Sequence, residues 1–123
     1  MAKYSNMLGF FAGNEVTSNA SYTPASAFVK AAVRDMKAYI ISNNYQHMGI
    51  GYASEDDAIM RRYPAAYMNC GETSIDFWGY NIYEWCGASD YVTSGYAQRT
   101  SDFANYNVPV FFAEVNCPKS ALI

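Results

Sequence analysis

The chain has 123 residues, 51% of them hydrophobic and 15% charged, with a formal net charge of −3. So apolar and aromatic a composition excludes a disordered segment, and basic residues clustered nowhere beyond Arg61-Arg62 exclude the positive stripe that nucleic acid requires. No apolar run approaches the roughly 20 residues of a membrane helix, and no targeting signal opens the chain.

Met7-Leu8-Gly9-Phe10-Phe11-Ala12-Gly13 is a short apolar run closed by glycine and polar residues, the pattern of a strand buried on both faces. Asn19-Ala20-Ser21 is the sole glycosylation sequon. Thr23 as N-cap and Pro24 in the first turn predict a helix running to Asn43-Asn44. Phe28, Val29, Ala32, Val33, Met36 and Ile40 form its apolar face, with Lys30, Arg34 and Lys37 opposite. His47 follows that helix, where a cation interacts well with the dipole.

Met48 to Tyr52 predicts a second strand. Ser54, followed three residues later by Asp57, predicts a helix through Tyr63, with Asp56 and Asp57 as acids of its N-terminus. A third strand spans Ile75 to Tyr83, then a long loop passes Gly87 and Gly95 to a weak helix around Tyr96 to Tyr106. Val108 to Ala113 is the fourth strand, with Pro109 tolerable near its start. The order β-α-β-α-β-α-β without tight hairpins predicts parallel strands joined by right-handed crossovers. Pattern alone fits both an open doubly wound sheet and part of a closed barrel.

Glu15 stands just after the first strand and Glu114 just after the fourth. In parallel α/β folds the C-terminal strand ends share the face where active sites form. Retaining glycosidases need two carboxylates there, one as acid and base and one as nucleophile, about 5 to 5.5 Å apart. The expected Glu15 to Glu114 separation is thus roughly 4 to 7 Å. The bland alternative is that each glutamate caps a helix or meets a basic partner. Asn14 beside Glu15 can hold a sugar 2-hydroxyl, Tyr83 can donate to a nucleophilic carboxylate, and Trp85 can stack on a sugar ring. Asn-Glu alone is a weak dipeptide, Tyr83 also reads as a buried tyrosine with a backbone partner, and Trp85 as a cover over the barrel mouth.

Cys70, Cys86 and Cys117 fit no zinc spacing and His47 lies far upstream, so no metal site is expected. In an oxidising compartment three cysteines give one bridge and one orphan; in the cytosol all three could be buried thiols. Serine and cysteine nucleophile schemes lack a placed histidine, and without a Gly-rich phosphate loop no cofactor is expected.

Four segments resemble one family: Gly9-Phe10-Phe11-Ala12-Gly13-Asn14-Glu15-Val16, Phe28 to Asp35, Asn81-Ile82-Tyr83-Glu84-Trp85-Cys86-Gly87 and Val110-Phe111-Phe112-Ala113-Glu114. They are similar to fungal β-1,3-glucanosyltransferases, glycoside hydrolase family 72, over nearly the whole chain. The resemblance implies a (β/α)₈ TIM barrel, with residues 1–123 a partial catalytic domain covering strands four to seven. It implies a retaining enzyme that cleaves β-1,3-glucan and transfers the donor to another glucan chain. By motif position Glu15 matches the acid/base, Glu114 the nucleophile, and Asn14 and Tyr83 the substrate and nucleophile contacts. Cys86 and Cys117 match a disulfide pair, and Cys70 a cysteine whose partner lies downstream. After Glu114 the family carries tyrosine and glycine before the cysteine, where this chain has Val115-Asn116.

The same resemblance implies a GPI-anchored glycoprotein at the outer face of the plasma membrane or in the cell wall. A competing reading is a truncated remnant that binds glucan without turning it over. Four strands cannot close a barrel of eight, so the rest of the barrel or a second copy is expected to complete the fold. Some of Phe11, Ile50, Phe77 and Phe111 are the expected interior side chains.

Overall fold

The computed structural model describes residues 2–17 and 24–117, with residues 58–61 described through their helical backbone alone. The Thr23 cap, the Asn19 sequon and the Arg61 side chain lie outside the described residues. The elements are β1 (Gly9–Asn14), α1 (Ala25–Ser42), β2 (Gly49–Ser54), α2 (Ala58–Met68), β3 (Phe77–Ile82), α3 (Tyr96–Asp102) and β4 (Val110–Val115). All neighbouring strands are parallel, and their spatial order is β1-β2-β3-β4. An open doubly wound sheet reverses its strand order at a switch point, whereas a barrel adds each strand beside the last. The unreversed order is therefore that of a barrel segment, four strands of a (β/α)₈ fold.

Alternation along the strands divides the side chains between two faces. Ile50, Tyr52, Trp78 and Tyr80 face the helices and are fully buried against Val29, Val33 and Ile40 of α1 and Ala65 and Met68 of α2. Ile50 thus belongs to the helix layer, not to the barrel interior; being one residue from Gly49 and from Gly51, it has the opposite direction.

The interior face carries Phe11, Phe77 and Phe111, whose ring centroids lie 5.3 to 6.1 Å apart. Glycines make room for these rings. A Cβ on Gly51 would lie 2.2 Å from the Phe77 ring, and one on Gly79 would lie 2.7 Å from that of Phe11. Phe11 and Phe111, on the two outer strands, remain 41% and 46% exposed, so this aromatic layer is covered on one side only.

Several boundaries differ from the sequence reading. The second helix runs past Tyr63 and through Pro64 to Met68, because burial of Pro64, Ala65 and Met68 offsets the missing backbone donor. The third helix stops at Asp102 rather than Tyr106, and the last strand begins at Val110 and includes Glu114. Phe28 is 79% exposed and lies outside the apolar stripe of α1. Lys30 and Lys37 do not simply face solvent: Lys30 donates to the Tyr67 carbonyl at 2.7 Å, and Lys37 pairs with Asp76 at 2.7 Å. Their long aliphatic stems carry the ammonium groups over the helix flank to these acceptors.

Candidate active site

Two irregularities in strand pairing create the site. Phe11 pairs with Gly51 but Asn14 pairs with Ala53, so three steps on β1 match two on β2. Phe112 pairs with Tyr80 and Glu114 with Asn81, so two steps on β4 match one on β3. Each extra residue reverses the alternation. Asn14 and Glu114 would otherwise point toward the helices; the bulges turn them to the face that carries Phe11 and Phe111.

Glu15 follows directly, in the left-handed region at φ 51°, a conformation uncommon for a residue with a side chain. Its N–H donates to the Ala53 carbonyl at 2.9 Å, continuing the β1–β2 pairing one step beyond the strand. Asn81 Nδ2 donates to Glu15 Oε1 at 2.8 Å and to Asn14 Oδ1 at 3.0 Å. Asn81 is 1% exposed, and its amide reaches across the inner face from β3 to the end of β1. Sequence reasoning did not single it out. Period-two alternation back from Tyr83 in Asn81-Ile82-Tyr83 was the signal that could have found it.

On the other side the Tyr83 hydroxyl donates to Glu114 Oε2. That carboxylate raises the Tyr83 phenol above its ordinary value, chiefly through the hydrogen bond, and the charge of Glu15 adds to the effect. Tyr83 therefore stays protonated as a donor and feels both glutamates. Glu114 and Asn81 are direct cross-strand partners, so Glu15, Asn81 and Glu114 form one line across the strand ends.

Glu55, one residue beyond β2, is a third acid at this end. Both its carboxylate oxygens are buried without a hydrogen-bond partner among the described residues. Burial, then the charges of Glu15 and Asp57, pushes its carboxyl above the usual range. Asp56 does more than sit before α2: it accepts the Tyr80 hydroxyl and lies 3.7 Å from Arg99 Nε, linking β3 to α3. His47 is exposed.

Trp85, 42% exposed, meets Tyr96 edge to face at 5.4 Å, and the Tyr96 hydroxyl donates to the Ile82 carbonyl at 3.0 Å. Tyr83, two residues before Trp85, is also partly exposed. Cys86 and Cys117 form a disulfide with Cα atoms 4.9 Å apart, tying the loop after β3 to the segment after β4. Cys70 is free and exposed. Among the described residues no group of three or more His, Cys, Asp or Glu side chains is placed to hold a metal ion.

A parallel barrel segment with two carboxylates at its C-terminal strand ends, one held by an amide and the other by a phenol, has the layout of (β/α)₈ proteins that process glycosidic bonds. Residues 1–121 match the glucanosyltransferase family, glycoside hydrolase family 72, and the chain belongs to it. It is 62% identical over 119 residues to a 1,3-β-glucanosyltransferase of Arthroderma benhamiae, covering 95% of this chain and 22% of that protein. It is 51% identical to the Saccharomyces cerevisiae 1,3-β-glucanosyltransferase GAS2, covering 95% of this chain and 21% of that one. The crystal structure of S. cerevisiae Gas2p in complex with laminaritriose and laminaritetraose superposes with a TM-score of 0.90 at 50% identity, over 97% of this chain and 28% of that chain. The chain thus spans about a fifth of the length of the curated relatives it matches.

Proposed function

We propose that residues 1–123 carry the two-carboxylate half of a β-1,3-glucanosyltransferase domain that acts by retention. The observation that carries this reading is the pair of opposed clamps, Asn81 on Glu15 and Tyr83 on Glu114, at one end of the sheet. A hydrogen bond from Tyr83 to Oε2 orients the Glu114 carboxylate and leaves Oε1 available to attack.

In the first step Glu114 bonds to the anomeric carbon of a bound β-1,3-glucan while the glycosidic C–O bond breaks. The departing oxygen takes the proton of the Glu15 carboxyl. In the second step Glu15, now a carboxylate, accepts the proton of an incoming glucan hydroxyl. That oxygen attacks the anomeric carbon, and Glu114 leaves. The configuration is retained and the donor is joined to a new chain. Asn14 serves the sugar 2-hydroxyl, and Trp85 with Tyr83 lines the sugar path.

The substrate reading is supported by the laminari-oligosaccharides named in the Gas2p complex and by the names of the relatives. The names of these fungal relatives support action on fungal 1,3-β-glucan, and the site of action is then the cell wall that this polymer builds. A glucan-binding role without turnover is favoured by one observation, the half-covered Phe11 and Phe111 layer, which asks for more barrel or a second copy. To separate the two, residues 2–117 are set in place of the matching segment of S. cerevisiae Gas2p, giving a completed barrel. With laminari-oligosaccharides the completed barrel forms both longer and shorter products, and the Glu114→Gln version forms neither. Binding without product in the parent barrel would refute the transferase reading.

A further inference from the structure

The turn that carries Glu15 is closed by a buried hydroxyl of β2. Thr17 and Tyr52 are both fully buried; the Tyr52 hydroxyl accepts the Thr17 N–H at 3.2 Å and shares a second hydrogen bond with Thr17 Oγ1 at 3.0 Å. Tyr52 belongs to β2 and faces the helices, its ring 5.5 Å from that of Trp78, and the next residue, Ala53, accepts the N–H of Glu15. Gly13 sits on the same ring: a Cβ there would lie 3.3 Å from it. The segment from Gly13 to Thr17 therefore runs beside the Tyr52 ring, held by the Ala53 carbonyl at Glu15 and by the Tyr52 hydroxyl at Thr17, with Glu15 at φ 51°.

We infer that Tyr52, through Thr17, is a positioning residue for Glu15 in the glycosyl transfer described above. A left-handed residue other than glycine persists only where its surroundings fix it. The local pairing gives Glu15 one backbone bond, and the Tyr52 hydroxyl supplies the closing contact two residues on. Without that hydroxyl the Thr17 N–H and Oγ1 are buried with no partner among the described residues, and the turn relaxes toward water. Glu15 then leaves the left-handed conformation that sets its carboxyl on Asn81. Burial raises the Tyr52 phenol above its ordinary value and keeps it protonated, so its hydroxyl retains both contacts to Thr17.

The inference rests on the reading of Glu15 as acid and base, and the test keeps the two apart. In the completed barrel Tyr52→Phe keeps the ring on Gly13 and Trp78 and removes the oxygen alone. Turnover of laminari-oligosaccharides falls about ten- to a hundredfold at unchanged KM, as expected for a displaced catalytic group. A dinitrophenyl laminaribioside assayed with azide needs neither the acid nor the base, and its turnover falls less than about threefold. Thr17→Val gives the same pattern, and the double variant adds nothing to either single one. Unchanged turnover, or equal losses on both donors in both variants, overturns the inference. If the parent barrel turns over neither donor, the reading of Glu15 fails by itself. The fastening is then read from amide exchange at Thr17: faster in Tyr52→Phe upholds it, and an unchanged rate overturns it.

Discussion

Asn81 Nδ2 donates to Glu15 Oε1 at 2.8 Å while Asn81 stands in register with Glu114, so one buried amide on β3 relates the two candidate catalytic carboxylates. Replacing it by alanine removes the contact to Glu15 and that to Asn14 together. Because Asn81 Oδ1 has no partner among the described residues, the stability loss is held to about 1 kcal/mol. Turnover by the completed barrel is expected to drop roughly ten- to a hundredfold. Asn81→Ala activity within twofold of the parent would remove Asn81 from the site.

The roles of the glutamates separate by leaving group. Glu114→Gln leaves no nucleophile and abolishes turnover of every donor. Glu15→Gln abolishes transfer from natural glucan but spares the first step on activated donors, which need no proton. A burst of dinitrophenol from Glu15→Gln, absent from Glu114→Gln, is the expected result. Equal loss in both contradicts the assignment, as would carboxyl groups standing well beyond the roughly 4 to 7 Å that retention needs.

Glu55 gives the fold a pH dependence of definite sign. Its carboxyl is raised by burial and by Glu15 and Asp57, so the folded protein holds this proton more tightly than the unfolded chain. Its contribution is fully present below the ordinary carboxylate value and is lost as pH rises through the raised one. Glu55→Gln keeps the shape without the charge. The urea midpoint of the variant should exceed that of the parent at pH 8 and match it at pH 4. A variant equal to the parent at both pH values would show that Glu55 is solvated.

Gly51 is needed for space. A Cβ there meets the Phe77 ring at 2.2 Å and the Phe77 carbonyl oxygen at 2.6 Å, and the backbone oxygen cannot move aside as a side chain can. Gly51→Ala is expected to cost at least about 1 to 3 kcal/mol, measured by thermal or urea unfolding. Gly71→Ala provides the comparison: it meets nothing nearby, and its cost comes only from a positive φ of 73°.

The Cys86–Cys117 disulfide closes a loop of 31 residues that contains α3 and begins three residues past Tyr83. Chain entropy assigns such a closure about 3 to 4 kcal/mol. Cys86→Ala with Cys117→Ala should lower unfolding stability by up to that amount and loosen Tyr83 and Glu114 together. Titration of oxidised, unfolded parent chain should find one free thiol, that of Cys70; three would refute the pairing.

What the sequence determined by itself was the alternation of strands and helices and the identity of the chemical groups. Apolar runs ended by glycine and a 3.6-residue stripe on α1 are local signals, and they place β1, β2, β3 and β4 within a few residues. Glu15, Glu114, Asn14 and Tyr83 were legible because polar residues directly following apolar runs mark strand ends. Tertiary structure decided which way those residues point. Simple alternation from Phe11 or Phe111 sends Asn14 and Glu114 toward the helices, and only pairing with β2 and β3 inserts the bulges that turn them inward. The same holds for Asn81, which reads as one more polar residue in a strand until β1 brings Glu15 within reach of its amide. It holds too for Tyr52, whose hydroxyl finds Thr17 35 residues away in the chain. Register and bulges are relations between strands, set by packing the Phe11, Phe77 and Phe111 rings over Gly49, Gly51 and Gly79. No single segment contains that information.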